Sequence, residues 1–158
     1  MIRDNTIKNL IRISSGKDIP FEWTEEESCS FQYVVFFKDG KVFSVTPLKI
    51  LIGRNCNDSV WEDLLDVLPK RLGKEVVKHS PLLFNVLHEV GHYKTMVGLT
   101  GKELKDCRES VLNQVESMDK IRKEYRKIKV EARADKWAAE WIYRHKNLSE
   151  LFSKLLRN

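Results

Sequence analysis

Ser80-Pro81-Leu82-Leu83-Phe84-Asn85-Val86-Leu87-His88-Glu89-Val90-Gly91-His92-Tyr93 is the stretch around which the rest of the chain is arranged. It contains His88-Glu89-Val90-Gly91-His92, an H-E-x-x-H pattern. Histidines four apart lie about one helical turn from each other, so both imidazoles can turn to one metal ion. The glutamate between them reaches to the side of that pair, where a metal-bound water would sit. Zinc (Zn2+) takes neutral imidazole nitrogen readily, and a catalytic zinc keeps one position open for water. The flanks predict a helix over 81–97. Ser80 is a favoured N-cap, Pro81 fits the first helical position, and Gly98 reads as the stop. At about 100° per residue, Leu82, Leu83, Val86, Leu87, Val90, Tyr93 and Val97 share one broad arc. His88 and His92 fall opposite, with Glu89 beside them.

Outward from this helix, the first half of the chain reads as a small antiparallel sheet. Phe31 to Lys38 is aromatic and β-branched, Asp39-Gly40 is a hairpin turn signal, and Lys41 to Thr46 is a second strand that Pro47 ends. Leu48 to Ile52 suggests a further short strand. Residues 5–13 suit a short helix or a strand equally. Asp18 to Glu27, with Pro20 and three consecutive glutamates, reads as a loop that Phe21 and Trp23 anchor to the core. Asn57-Asp58-Ser59 caps a helix running to Pro69, and a basic link containing Gly73 follows. After the H-E-x-x-H helix the chain is helical. Thr100-Gly101-Lys102-Glu103 has the form of a capping box, helix can run on with breaks to about His145, and Asn147 to Leu156 is a last amphipathic helix. The expected fold is α+β, with an antiparallel sheet packed on a helical half that carries a zincin-like metal site.

The chain has 158 residues and is 42% hydrophobic, which suits a single domain over 1–158. Cys29, Cys56 and Cys107 form no C-x-x-C pair, and their odd number argues against a disulfide framework. The first residues lack the apolar core of a signal peptide, and no stretch is long enough to span a bilayer. Together these predict a cytoplasmic protein that does not enter membranes. The net charge of +5 permits contact with nucleic acid without demanding it. The densest basic run is Lys120, Arg122, Lys123, Arg126, Lys127 and Lys129, interrupted by Glu124. It reads first as a solvated helix face and second as a contact for a phosphate backbone or an acidic protein.

A catalytic zinc usually has three protein ligands. No third histidine follows at short spacing, so the remaining ligand is expected to be a carboxylate. Glu131 with Asp135 and Glu109 with Asn113 both have the spacing that lets one residue bind metal while the next turn supports a ligating histidine. Glu131 is preferred because Ala134 and Ala138 share its helix face and would let that helix approach the histidine helix closely. Gly91 would help from the other side; a mid-helix glycine costs roughly 1 kcal/mol against alanine, so a packing reason is expected. A donor to a developing oxyanion is also required, and Tyr93, Tyr125, Tyr143, His79, His145 and Arg133 all remain candidates, with Tyr93 expected in the core.

His88-Glu89-Val90-Gly91-His92-Tyr93, followed by Glu131-Ala132-Arg133-Ala134-Asp135-Lys136-Trp137-Ala138-Ala139-Glu140, resembles the ImmA/IrrE-type metallopeptidases, which carry H-E-x-G-H and then E-x-x-A-(N/D)-x-(F/W)-A-A-E. The resemblance covers residues 81–97 and 128–142. It implies a gluzincin-type hydrolase core with His88, His92 and Glu131 as zinc ligands, Glu89 as general base and Asp135 as support for a histidine. Such proteins often belong to phage or mobile elements and cleave repressors, so a protein substrate is implied. No helix-turn-helix is appended, and nucleic acid is not the expected partner. The competing reading is a non-catalytic zinc-containing module that binds nucleic acid or an acidic partner through segment 120–129; it leaves Glu89 without a task.

Overall fold

The computed structural model describes residues 2–112 and 126–157, with the backbone alone described for 107–112. The fold is α+β: seven helices and a three-stranded mixed sheet among the described residues. The chain opens with α1 (Ile2–Ser15), whose Ile7, Leu10, Ile11 and Ser14 are buried at helical spacing. The ambiguous residues 5–13 are therefore helical, and α1 packs against helices of the C-terminal half.

Three strands follow: β1 (Phe21–Thr24), β2 (Ser30–Lys38) and β3 (Lys41–Gly53), in the spatial order β1-β3-β2. Asp39 and Gly40 both take positive φ, 54° and 75°, as a two-residue hairpin turn requires. Three expectations are corrected here. The sheet is not purely antiparallel, because β1 runs parallel to β3, pairing Phe21 with Ile50 through Thr24 with Gly53. The segment 21–24, read as an anchored loop, is an edge strand tied by Trp23 Nε1 donating to Asp4 Oδ1 at 2.7 Å. Nor does Pro47 end a strand: β3 continues through it to Gly53. Tyr33 pairs with Pro47 and Gln32 with Lys49, so Leu48 is the extra residue of a bulge. A bulge disrupts the ladder locally and so tolerates a residue that has no N–H to give.

The helices are α2 (Ser59–Val67), α3 (Lys70–Val76), α4 (Pro81–Thr95), α5 (Gly101–Leu112), α6 (Lys129–Arg144) and α7 (Lys146–Arg157). The basic link is itself helical: α3 buries Leu72, Gly73 and Val76. Thr100 caps α5, its hydroxyl accepting from the Glu103 N–H and donating to the Glu103 carboxylate, both at 3.2 Å. The main core cluster runs from Ile7 and Leu10 through Ile50, Phe84 and Leu87 to Ile142 and Leu156, and a smaller one joins Val42, Met96, Leu99 and Val130. α4 lies in the middle of the main cluster. The expected contrast between a buried back and an open front does not hold, because His88, Glu89 and His92 are buried along with Leu83, Val86 and Leu87. Val97, expected on the apolar arc, lies beyond the helix end and is exposed. The opposite side of α4 is covered by α6, its main partner. No helix among the described residues is long and apolar enough to cross a membrane.

Candidate metal centre

Contact between α4 and α6 builds the site. A Cβ added at Gly91 would lie 2.8 Å from the Ala134 carbonyl oxygen and 3.1 Å from its Cα. Real side chains do not tolerate that approach, so glycine is what lets the two backbones touch. Ala134 and Ala138 are fully buried on the facing helix. Small residues on both sides bring Glu131 and Asp135, one turn apart on α6, up to the histidines.

His88 Nε2 lies 2.8 Å from Glu131 Oε2, and His92 Nε2 lies 3.3 Å from Glu131 Oε1. The two ring nitrogens thus converge on the two oxygens of a single carboxylate. The other nitrogen of His88, Nδ1, lies 2.7 Å from Asp135 Oδ1. Ring centres of His88 and His92 are 4.6 Å apart and nearly perpendicular. Glu89 is buried beside them, and His88, Glu89 and His92 offer atoms within 4.8 Å of one another that could hold a metal ion. The preferred carboxylate, Glu131, is therefore at both imidazoles. Of the alternative pair, Glu109 belongs to α5 with its side chain outside the described residues, and Asn113 lies outside them altogether.

The electrostatics follow from burial. Three carboxylates, Glu89, Glu131 and Asp135, sit together away from water. Burial opposes a charge on His88, but Asp135 and Glu131 outweigh it and push the imidazole up to about 10. Burial raises Glu131 as well, yet the two histidines against it hold its carboxyl well below the usual range. Glu89 goes the other way: burial raises it, only partly offset by the histidines. A protonated His88 supplies one positive charge to this acidic cluster. A divalent cation between the ring nitrogens and Glu131 is a second way to supply it. The donor set suits such an ion: two imidazoles and a carboxylate.

Sequence reasoning missed Arg126, whose Nη1 hydrogen-bonds Asp135 Oδ1, the same oxygen that faces His88. Arg126 was hidden inside the basic run. Of that run, Lys120, Arg122 and Lys123 lie outside the described residues, as does Glu124. Lys129 pairs with Glu103 at 2.9 Å, so two of the run's cations are turned to acids of this chain.

A cavity of about 180 Å³ opens beside the site, lined by Glu89, His92, Glu131 and Val130 on one side and by Cys29, Ser30, Phe31 and Tyr33 on the other. Of the six oxyanion candidates, none that is described lines it. Tyr93 packs against the core near Phe31, as expected, with ring centres 6.4 Å apart. Tyr143 lies under Arg71 and Lys146, and His145 stacks on Trp141. His79 faces Glu75, and Arg133 Nη1 donates to the Thr95 carbonyl at 3.4 Å. Tyr125 is outside the described residues. The phenol in the cavity wall is Tyr33, contributed by the sheet, which no spacing argument connects to α4. Compared with known protein families, curated proteins and solved structures, the chain matches none.

Proposed function

We propose that this protein is a zinc-dependent metallopeptidase, of the kind its two motifs resemble, hydrolysing a peptide bond in a protein substrate such as a repressor. The observation that carries the reading is the convergence of His88 Nε2 and His92 Nε2 on the Glu131 carboxylate, with Glu89 buried alongside and a cavity in front. His88, His92 and Glu131 would hold the zinc. When bound, it would polarise the scissile carbonyl and acidify a water.

The remaining work belongs to the chain. Asp135 Oδ1 accepts a hydrogen bond from His88 Nδ1–H, which fixes the tautomer and leaves Nε2 as the ligating atom. Arg126 holds Asp135 in place. Glu89 accepts a proton from the attacking water and returns it to the leaving amine. Its raised pKa suits both halves of that exchange better than an ordinary glutamate's. β2 has no further strand on its outer side among the described residues. Ser30, Phe31 and Tyr33 of that strand line the cavity, so an extended peptide added along the edge would run past Glu89.

The test is Glu89→Gln beside Glu131→Ala, with metal content and cleavage measured on each. Wild-type protein is expected to carry about one zinc per chain. Glu89→Gln should keep it and lose cleavage, whereas Glu131→Ala should lose the metal. An unchanged cleavage rate in Glu89→Gln would falsify the assigned role.

A further inference from the structure

We propose that Cys29, in the wall of the site cavity, and Cys56 behind it form a reversible dithiol–disulfide pair, oxidised by a hydroperoxide and restored by a dithiol reductant. Neither cysteine is near the other in sequence, and the fold brings them together. Ser30 pairs with Leu51, so Cys29 enters β2 where β3 is leaving the sheet, and Cys56 follows β3 directly. The two loops are laced at that point: Arg54 N–H donates to the Thr24 carbonyl at 3.0 Å, and Asn55 N–H to that of Glu26 at 3.2 Å. Gly53 is the meeting place. A Cβ there would lie 2.5 Å from the Glu26 carbonyl oxygen and 2.6 Å from that of Ser28, so no larger residue allows the approach. The Cys56 thiol donates to the Gly53 carbonyl at 3.3 Å, and the two thiols are near enough to act on each other.

The two sulfurs differ in the way such chemistry needs. Interactions with Cys29 and with Asn85 outweigh burial and bring Cys56 down to about 7. The interaction with Cys56, together with burial, holds Cys29 well above the ordinary thiol value. Cys56 is therefore the attacking thiolate and Cys29 the resolving thiol. Both are half-buried, reachable by a small oxidant. The Cys56 thiolate attacks a peroxide oxygen and the O–O bond breaks. Cys56 becomes a sulfenic acid, and the departing oxygen takes a proton to leave as water or an alcohol. Cys29 sulfur then attacks Cys56 sulfur; its proton goes to the departing hydroxyl, water leaves, and the S–S bond forms. Two thiols and one hydroperoxide thus give one disulfide, one water and one alcohol or second water. A disulfide of this kind suits a reducing compartment, where those that occur are transient and redox-sensing. Cys29 is itself part of the cavity wall, so oxidation changes the surface facing Glu89 and His92. The pair stands whether or not the site binds zinc.

The experiment uses the full chain carrying Cys107→Ser, treated with stoichiometric hydrogen peroxide and read by thiol titration and non-reducing intact mass. The expected result is loss of both remaining thiols, a mass lower by two hydrogens, a Cys29–Cys56 linked peptide, and full recovery with dithiothreitol. Adding Cys29→Ser should stop the reaction at a sulfenic acid on Cys56 that dimedone traps. Adding Cys56→Ser instead should slow the loss of the remaining thiol by about tenfold or more. Thiols that persist, oxidation past the sulfenic acid without a bridge, or a bridge between two chains would each overturn the proposal.

Discussion

His79, just before α4, and His88, in the middle of it, are both buried histidines with a glutamate close by, yet they are held in opposite states. His79 Nε2 lies 3.5 Å from Glu75 Oε1. Burial wins there and lowers its pKa below the ordinary 6.5. His88 is shielded from water to the same degree, but it meets Glu131 at 2.8 Å and Asp135 at 2.7 Å, and the carboxylates win. Burial and a nearby acid therefore do not make a site. Two carboxylates gripping both ring nitrogens do, because only then does the pocket favour a positive charge it must otherwise pay to desolvate.

The largest expected difference is in protonation. In metal-free protein, proton resonances of His88 should report a charged ring up to about pH 10, and those of His79 a neutral ring down to below pH 6.5. Stability should follow with opposite signs. His88's folded pKa lies above its unfolded one, so its contribution is complete below pH 6.5 and is lost as pH rises through about 10. His79's folded pKa is depressed, so its contribution is present above pH 6.5 and is lost as pH falls through the depressed value. Both rings titrating together near their ordinary value would erase the distinction.

Mutation sharpens it next. Asp135→Ala leaves Arg126 and His88 facing each other without their shared acid, and should cost about 3–5 kcal/mol in urea unfolding. Glu75→Ala removes an acid whose main partner, Lys78, is exposed, and should cost about 1 kcal/mol or less. Equal losses at the two positions would mean that the Asp135 cluster is no more than an ordinary ion pair. Between the two is Gly91→Ala, about 1–3 kcal/mol from the backbone shift that the new methyl forces. If Gly91→Ala proved neutral or stabilising, as alanine is in a free helix, the close approach to Ala134 would be refuted.

What the sequence made legible follows the same division. α4 could be read because its start, its spacing and its chemistry lie within a few residues of one another. The approach of Gly91 to α6 could be read because a mid-helix glycine and two alanines both signal close packing. α3 could not, since Lys70, Arg71 and Lys74 around Gly73 look like a solvated link until Pro69 and the burial of Leu72 and Val76 set it as a helix. β1 was hidden because four residues between Pro20 and a run of glutamates carry too little pattern to outweigh a loop, and its parallel partner lies over twenty positions away. Arg126 and Tyr33 escaped for another reason. Each reaches the site from an element whose own spacing says nothing about α4, and only tertiary packing puts them there.

The touching backbones of Gly91 and Ala134 have a consequence for how the chain may vary. All of α5 and residues 113–125 lie between them. Closing a longer loop costs only about 0.6 kcal/mol for each doubling of its length, less than the methyl group at Gly91 is expected to cost. Insertions and deletions in the connecting stretch should therefore be tolerated, while the two contact positions permit almost no change. Relatives of this chain are best sought by the small residues at that crossing, with the distance between them left free.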